Sequence, residues 1–127
     1  MMIKLKFVPL VTVAIMFVLV NNLTAQGISD CKKLPITYSS FPEAVKTIKA
    51  TRFLIEESIS TLKSSWIRGA SYFSCDGRVG FFILKTDKKE YLYSNLPIEV
   101  WKEFKGADSF GSYYNAHIKN RYLFELN

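Results

Sequence analysis

The stretch Trp66–Thr86, which reads WIRGASYFSCDGRVGFFILKT, decides the fold. Its Asp76-Gly77 pair lies between two aromatic-rich runs, and this combination predicts a hairpin of two antiparallel strands joined by a tight turn. In the second run, which starts at Val79, successive side chains are apolar. Since successive residues of a strand point to opposite faces, this pattern predicts a central strand that is covered on both faces.

Periodicity and capping residues predict further elements on both sides of the hairpin. Ser40 and Glu43 form a capping box, which marks the start of a helix. The predicted ranges are a helix at about Pro42–Lys49, strands at Thr51–Ser60 and Glu90–Ser94, a helix from Pro97 to Gly106, and a last helix from Ser109 to about Arg121. We expect the apolar tail Leu123–Leu126 to pack back on the core. The predicted fold class is α+β: a small antiparallel β-sheet with one N-terminal helix and two C-terminal helices packed on it.

The N-terminal segment has the pattern of a cleavable signal peptide. Lys4 and Lys6 precede an uncharged run, Phe7–Val20, and a short polar stretch then leads to Ala25. The run is about 14 residues long, against roughly 20 for a membrane-spanning helix, so a retained anchor is the weaker alternative. We therefore predict a signal peptide at 1–25, a single domain at 26–127, and a periplasmic or secreted product that meets the membrane only during export.

Two cysteines, Cys31 and Cys75, remain after the predicted cleavage. In an oxidising compartment, such a pair in a small domain favours a disulfide, which would join the N-terminal segment to the middle of the domain. A sequence contains no distance between the two sulfur atoms, so a pair of free thiols stays an alternative.

Tyr91 and Tyr93 are the main candidate binding residues. On a strand, both side chains project from the same face, at the spacing of a platform on which bases or sugars stack. Lys119 and Arg121 would add positive charge near it, in a chain whose net charge is +6. The alternative is that the two tyrosines pack in the core beneath aromatic residues of the C-terminal helices.

The start of the last helix also has two interpretations. Backbone N–H groups at Ser109 and Gly111 would suit an anion, because a helix N-terminus carries partial positive charge. Alternatively, Ser109 caps the helix, and Gly111 allows another element to pack closely.

Catalytic groups are scarce in the sequence. One histidine is present, His117, and neither Cys31 nor Cys75 has metal-ligand spacing with it. No phosphate-binding glycine motif is present in the chain. The sequence therefore predicts no enzymatic activity, no cofactor and no metal. An envelope enzyme that uses Cys75 or His117 is the remaining alternative.

An ordered set of residues in the middle and C-terminal part resembles a known family. The set is Ser65-Trp66-Ile67, Tyr72, Tyr91-Leu92-Tyr93, Leu96-Pro97, Val100, Trp101, Phe104, the run Ala107–Asn115, Ile118-Lys119 and Tyr122. These residues resemble the KTSC domain, a family named for the C-terminus of some lysyl-tRNA synthetases and also found in stand-alone bacterial proteins. The resemblance covers about Ser64–Tyr122 and includes a Tyr-x-Tyr centre.

The resemblance and the residue types together give two expectations for function. The first is an exported, non-enzymatic and monomeric module that binds an unidentified protein or small ligand. The second is nucleic-acid (RNA) binding through an aromatic and basic surface, which the synthetase context of the family implies. Export argues against the second, because tRNA is cytoplasmic.

Overall fold

The computed structural model describes residues 30–126, which form a four-stranded antiparallel sheet and three α-helices. The strands are β1 (Ile55–Ile59), β2 (Ile67–Ser74), β3 (Val79–Thr86) and β4 (Glu90–Pro97), in the spatial order β1-β2-β3-β4. The helices are α1 (Phe41–Lys49), α2 (Ile98–Lys105) and α3 (Phe110–His117). This arrangement confirms the predicted α+β class, with one N-terminal helix and two C-terminal helices.

The predicted hairpin joins β2 to β3. Gly77 adopts a φ of 78° in the turn, a conformation that glycine reaches without strain. The Asp76 side chain fixes the turn by accepting from the backbone N–H groups of Arg78 and Val79, at 2.8 and 3.1 Å. Strand β3 then lies between β2 and β4, and it is covered on both faces as predicted.

One face of the sheet carries α2 and α3 over an aromatic core. The Trp101 ring stacks on Tyr72 with centroids 5.3 Å apart, and Phe104 contacts Phe82 edge-to-face at 5.2 Å. The buried Tyr72 hydroxyl donates to the Leu96 carbonyl at 2.8 Å. Burial raises the pKa of Tyr72 to about 12, because it disfavours the charged phenolate. The Tyr72 hydroxyl within this core is therefore both neutral and hydrogen-bonded.

The opposite face of the sheet carries α1. The Ser40 hydroxyl starts the helix by accepting from the Glu43 backbone N–H at 3.2 Å, as the capping box predicts. The buried stripe of α1 packs with sheet residues in a second core cluster, whose main members are Ala44, Val45, Ile48, Phe53, Phe73, Ile83 and Leu92. The sheet is thus sandwiched between α1 on one side and the C-terminal helices on the other.

Two strand boundaries differ from the sequence predictions. Strand β1 starts at Ile55 instead of Thr51. Thr51 is held against the last turn of α1, where its hydroxyl donates to the Thr47 carbonyl at 2.7 Å and its N–H donates to the Ile48 carbonyl at 3.2 Å. Strand β4 continues to Pro97 instead of ending at 94, and it does so through an irregularity in its pairing with β3. Asn95 accommodates this irregularity with a φ of 57°.

The last helix is shorter than predicted. It ends at His117 instead of Arg121, and the chain then turns through Asn120, whose φ is 65°. The turn brings Tyr122 alongside β4, where its carbonyl accepts from the Ser94 N–H at 2.9 Å. The helix therefore ends early because the tail has to reach the edge of the sheet.

The cysteine pair forms the predicted disulfide. Cys31 and Cys75 are bonded, with Cα atoms 5.8 Å apart. Cys75 directly follows β2, and the Cys31 N–H donates to the Arg52 carbonyl at 3.0 Å. The bond thus attaches the N-terminal segment to the β2–β3 turn.

The predicted signal peptide at 1–25 lies outside the described residues. Within residues 30–126, the structure contains no helix of the length and apolarity that a bilayer crossing requires.

Replacing either cysteine should destabilise the domain strongly. The bond joins residues 44 positions apart, and loop-closure entropy for a ring of that size stabilises by about 4 kcal/mol. We expect Cys31→Ser and Cys75→Ser each to lower the free energy of unfolding, measured by urea titration, by roughly 3 to 4 kcal/mol. The exposed neighbour Lys33→Ala serves as the control. A loss below about 1 kcal/mol would contradict this assignment of the disulfide's role.

Candidate functional site

A groove runs between α1, the outer strand β4 and the C-terminal tail. It has a volume of about 880 Å³. Phe41 and Val45 of α1 form one wall, Leu92 belongs to the strand side, and Leu123 and Phe124 of the tail line the end. The lining is therefore mainly apolar, and it is assembled from elements near both ends of the described chain.

Phe124 anchors the tail beside the groove. Its ring lies 5.9 Å from Phe41, 5.7 Å from Tyr38 and 6.4 Å from Phe81, centroid to centroid. The Tyr38 hydroxyl is buried and has no hydrogen-bond partner among the described residues. Burial, followed by the nearby Glu43 carboxylate, raises the pKa of Tyr38, so this hydroxyl stays neutral.

The rim of the groove is positively charged. Lys46, Lys49 and Lys89 line it together with one carboxylate, Glu90. Lys49 pairs with Glu90 at 2.5 Å, and the Lys89 ammonium lies 4.8 Å from the centre of the Tyr91 ring. Lys46 has no ion-pair partner within residues 30–126. The groove thus combines an apolar interior with a net positive rim.

A smaller cleft of about 350 Å³ lies on the other side of Tyr91, around Trp66. The Trp66 side chain is 37% exposed and packs edge-on against Tyr114, with ring centroids 5.7 Å apart. Asn115 and Lys119 belong to the same lining, as does Lys88. We call this the Trp66 cleft.

The structure separates the four binding residues predicted from sequence. Tyr91 is half-buried and lies between the groove and the Trp66 cleft, and Lys119 lines that cleft. Tyr93 is only 5% exposed, so the predicted exposed platform of two tyrosines is wrong for this residue. Arg121 is exposed but lines neither the groove nor the Trp66 cleft.

Tyr93 is buried because α3 covers it. Its hydroxyl forms a hydrogen bond with the hydroxyl of Tyr114, and the two rings meet edge-to-face with centroids 5.9 Å apart. Burial raises the pKa of both tyrosines far enough to keep them neutral. The core interpretation that the sequence left open therefore holds for Tyr93, and the surface interpretation remains for Tyr91.

Ser109 and Gly111 have packing roles in the structure. The Ser109 hydroxyl accepts from the Ser112 N–H at 3.2 Å, which is the capping bond expected at a helix start. Gly111 lies against the Trp66 indole, and a Cβ atom built on it would be 2.6 Å from Trp66 Nε1. The second interpretation from the sequence, in which Ser109 caps the helix and Gly111 allows close packing, thus accounts for both residues.

The candidate nucleophile pair is not assembled. Cys75 is in the disulfide and holds no free thiol. His117 is exposed, and its ring packs on Tyr113 at 4.4 Å. Asp30 lies close to Cys31 and Cys75, but both sulfur atoms are bonded to each other, so this cluster offers no thiolate ligand.

Sequence reasoning missed the groove itself. Its two walls come from α1 and from the tail, which are about 80 residues apart along the chain. The apolar tail was the available signal, because its packing against the fold was expected. No local pattern indicated that Phe41 and Leu123 would line the same groove.

The contact between Gly111 and Trp66 gives a test by double-mutant cycle. Gly111→Ala must displace the indole, and we expect it to cost about 1 to 3 kcal/mol of unfolding free energy. In a Trp66→Ala background the obstacle is gone, so the same change should cost less than about 0.5 kcal/mol. An equal cost in both backgrounds would show that Gly111 is needed for a reason other than the indole.

Comparison with known proteins gives a family match in the C-terminal part of the chain. Residues 79–122 match the family model of the KTSC domain. The match begins at β3 and includes β4, α2 and α3, whereas Trp66 and Tyr72 of the earlier resemblance precede it. No curated protein and no solved structure is similar to the chain at a significant level. The segment formed by β3, β4 and the two C-terminal helices is therefore similar to the KTSC domain.

Proposed function

We propose that this protein is an exported, non-catalytic binding module. Its ligand has an apolar body and an anionic group, and it occupies the groove between α1 and β4. The observation that carries the proposal is the apolar interior of that groove beneath a lysine-bearing rim.

The size and lining of the groove support a ligand site. Ligand sites generally have volumes of about 300 to 1,000 Å³ and are lined mainly by apolar and aromatic side chains. The groove, at about 880 Å³, falls in that range. Phe41 and Leu123 are 44% and 56% exposed at its walls, so an apolar ligand would remove their surface from water. Such burial contributes roughly 25 cal/mol per Å².

The charges of the rim support an anionic group on the ligand. Three lysines and one glutamate line the rim, and that glutamate is already paired with Lys49. Lys46 and Lys89 remain to attract an anion at the mouth of an apolar cavity, where the lower dielectric strengthens the attraction.

Two features support export. The first is the leader pattern at 1–25. The second is the Cys31–Cys75 disulfide, because such bonds persist in oxidising compartments and are rare in the reducing cytosol.

The groove is a better ligand site than the Trp66 cleft. The cleft brings together Trp66, Tyr91 and Lys119, a mixture that nucleic-acid binding would use. However, it has less than half the volume of the groove, and Tyr93 and Arg121 do not contribute to it. We therefore favour a ligand in the groove over the RNA binding that the family resemblance implies.

Binding of anilinonaphthalene sulfonate, an apolar fluorescent dye with one anionic group, tests the proposal. We expect the native protein to bind it at a single site, followed by fluorescence titration. Phe41→Asp should weaken binding by about tenfold or more, equivalent to about 1.4 kcal/mol, because it removes an aromatic wall and adds a negative charge. The variant should stay folded, since an acidic residue in the first turn of a helix is favourable.

The matched control is Leu62→Asp. Leu62 is 95% exposed and does not line the groove, yet the substitution makes the same change of charge. We expect dye affinity to stay within a factor of about two of the unmodified protein. Equal weakening by both variants, or no binding by the native protein, would contradict the proposed site.

A further inference from the structure

The backbone of β4 has hydrogen-bonding groups that face the groove. The Thr86 N–H donates to the Lys89 carbonyl at 3.0 Å, so the backbone N–H and C=O groups of Lys89 point toward β3. In an antiparallel ladder, the backbone N–H and C=O groups of successive residues point alternately toward and away from the neighbouring strand. The backbone N–H and C=O groups of Glu90 and Leu92 therefore point away from β3 and lie at the outer edge of the sheet.

Part of this edge is already paired with the chain's own tail. The Ser94 N–H, which has the same orientation as those of Glu90 and Leu92, donates to the Tyr122 carbonyl at 2.9 Å. Tyr93 and Leu123 form an antiparallel bridge at the same place. Since the Tyr93 backbone itself pairs with β3, this bridge places Phe124 of the tail opposite the outward carbonyl of Leu92. Within residues 30–126, no backbone hydrogen bond joins the tail to Glu90. The open part of the edge borders the groove.

We infer that the occupant of the groove is an extended peptide segment with acidic side chains, which pairs with β4 through the backbone N–H and C=O of Glu90 and the N–H of Leu92. This inference rests on the proposed function and names the class of its ligand. An edge strand beside a helix is the geometry by which extended peptides are bound as an added strand. The tail at Ser94 shows that this edge accepts such a strand.

The walls of the groove explain which peptide would fit. A strand added about 4.8 Å from β4 would direct alternate side chains toward α1, where Phe41 and Val45 form an apolar wall. Lys46 and Lys89 at the rim would attract carboxylates on the peptide. Apolar residues flanked by acidic ones therefore complement the groove, whereas basic residues do not.

A labelled pentapeptide, Glu-Val-Tyr-Val-Glu, is the probe that tests the inference by fluorescence polarisation. We expect Glu90→Pro to weaken its binding at least tenfold, because proline removes an outward N–H. Since that N–H does not pair with β3, an edge position tolerates the change, and circular dichroism checks the fold. Glu90→Ala should instead tighten binding about two- to fivefold, because it removes a repelling carboxylate and releases Lys49.

Two further peptides keep the test decisive if Glu90→Pro does not fold. The same pentapeptide with all three central amides N-methylated keeps its side chains and charge but lacks those backbone donors, and we expect at least tenfold weaker binding. A pentapeptide with lysine in place of both glutamates should also bind at least tenfold more weakly. Equal binding of the methylated peptide would overturn strand addition, and equal binding of the lysine peptide would overturn the acidic preference.

The outcomes separate this inference from the proposed function. If the native protein binds the dye but not the acidic pentapeptide, the groove takes a non-peptide ligand and only the inference fails. If it binds neither, the proposed function fails as well. If sedimentation shows a dimer that dissociates in Glu90→Pro, a second copy of the chain occupies the edge, and the inference of a peptide partner is overturned.

Discussion

Strand β3 is apolar on both faces, and the rest of the structure depends on the requirement that both faces be covered. Phe82 and Leu84 point to one side, and Ile83 points to the other. Two helices that follow in sequence, α2 and α3, cover the first side. Residues 79–122, which match the KTSC model, contain no helix for the second side, so α1 from the preceding segment covers it. An uncovered face of this kind would expose a large apolar surface to water.

The way in which α1 covers its face of the sheet also explains the groove. Val45 and Ile48 of α1 belong to one buried cluster with Phe73 of β2, Ile83 of β3 and Leu92 of β4. The space between the helix and the outer edge of β4 is filled in part by the tail, which supplies Leu123 and Phe124. What remains is the apolar groove, along the part of the β4 edge with which the tail does not pair. The disulfide holds the segment that leads into α1, so the same covalent bond that stabilises the second layer also keeps this wall in place.

Local sequence patterns predicted the elements much better than the site. The turn at Asp76-Gly77 and the helix start at Ser40 depend on neighbouring residues, and both were correct, although the Glu43 carboxylate of the capping box accepts from the Ser39 N–H instead of the Ser40 N–H. Tyr91 and Tyr93 share a strand face but differ in burial, because the Tyr114 ring of α3 packs on Tyr93, whereas Tyr91 lines the Trp66 cleft. The groove depends on contacts between Phe41 and Phe124, which are far apart in sequence. Periodicity carries no information about such contacts.

The outer edge of β4 is open at Glu90, beside the groove, and amide hydrogen exchange of the native protein tests this most directly. The backbone N–H of Tyr91 faces β3 and that of Glu90 faces outward, although the two residues are adjacent in the same strand. We predict that the Tyr91 N–H exchanges at least about a hundredfold more slowly than the Glu90 N–H, relative to their intrinsic rates. Protection of the Glu90 N–H to within a few-fold of Tyr91 would show that the edge is already paired and would contradict the account.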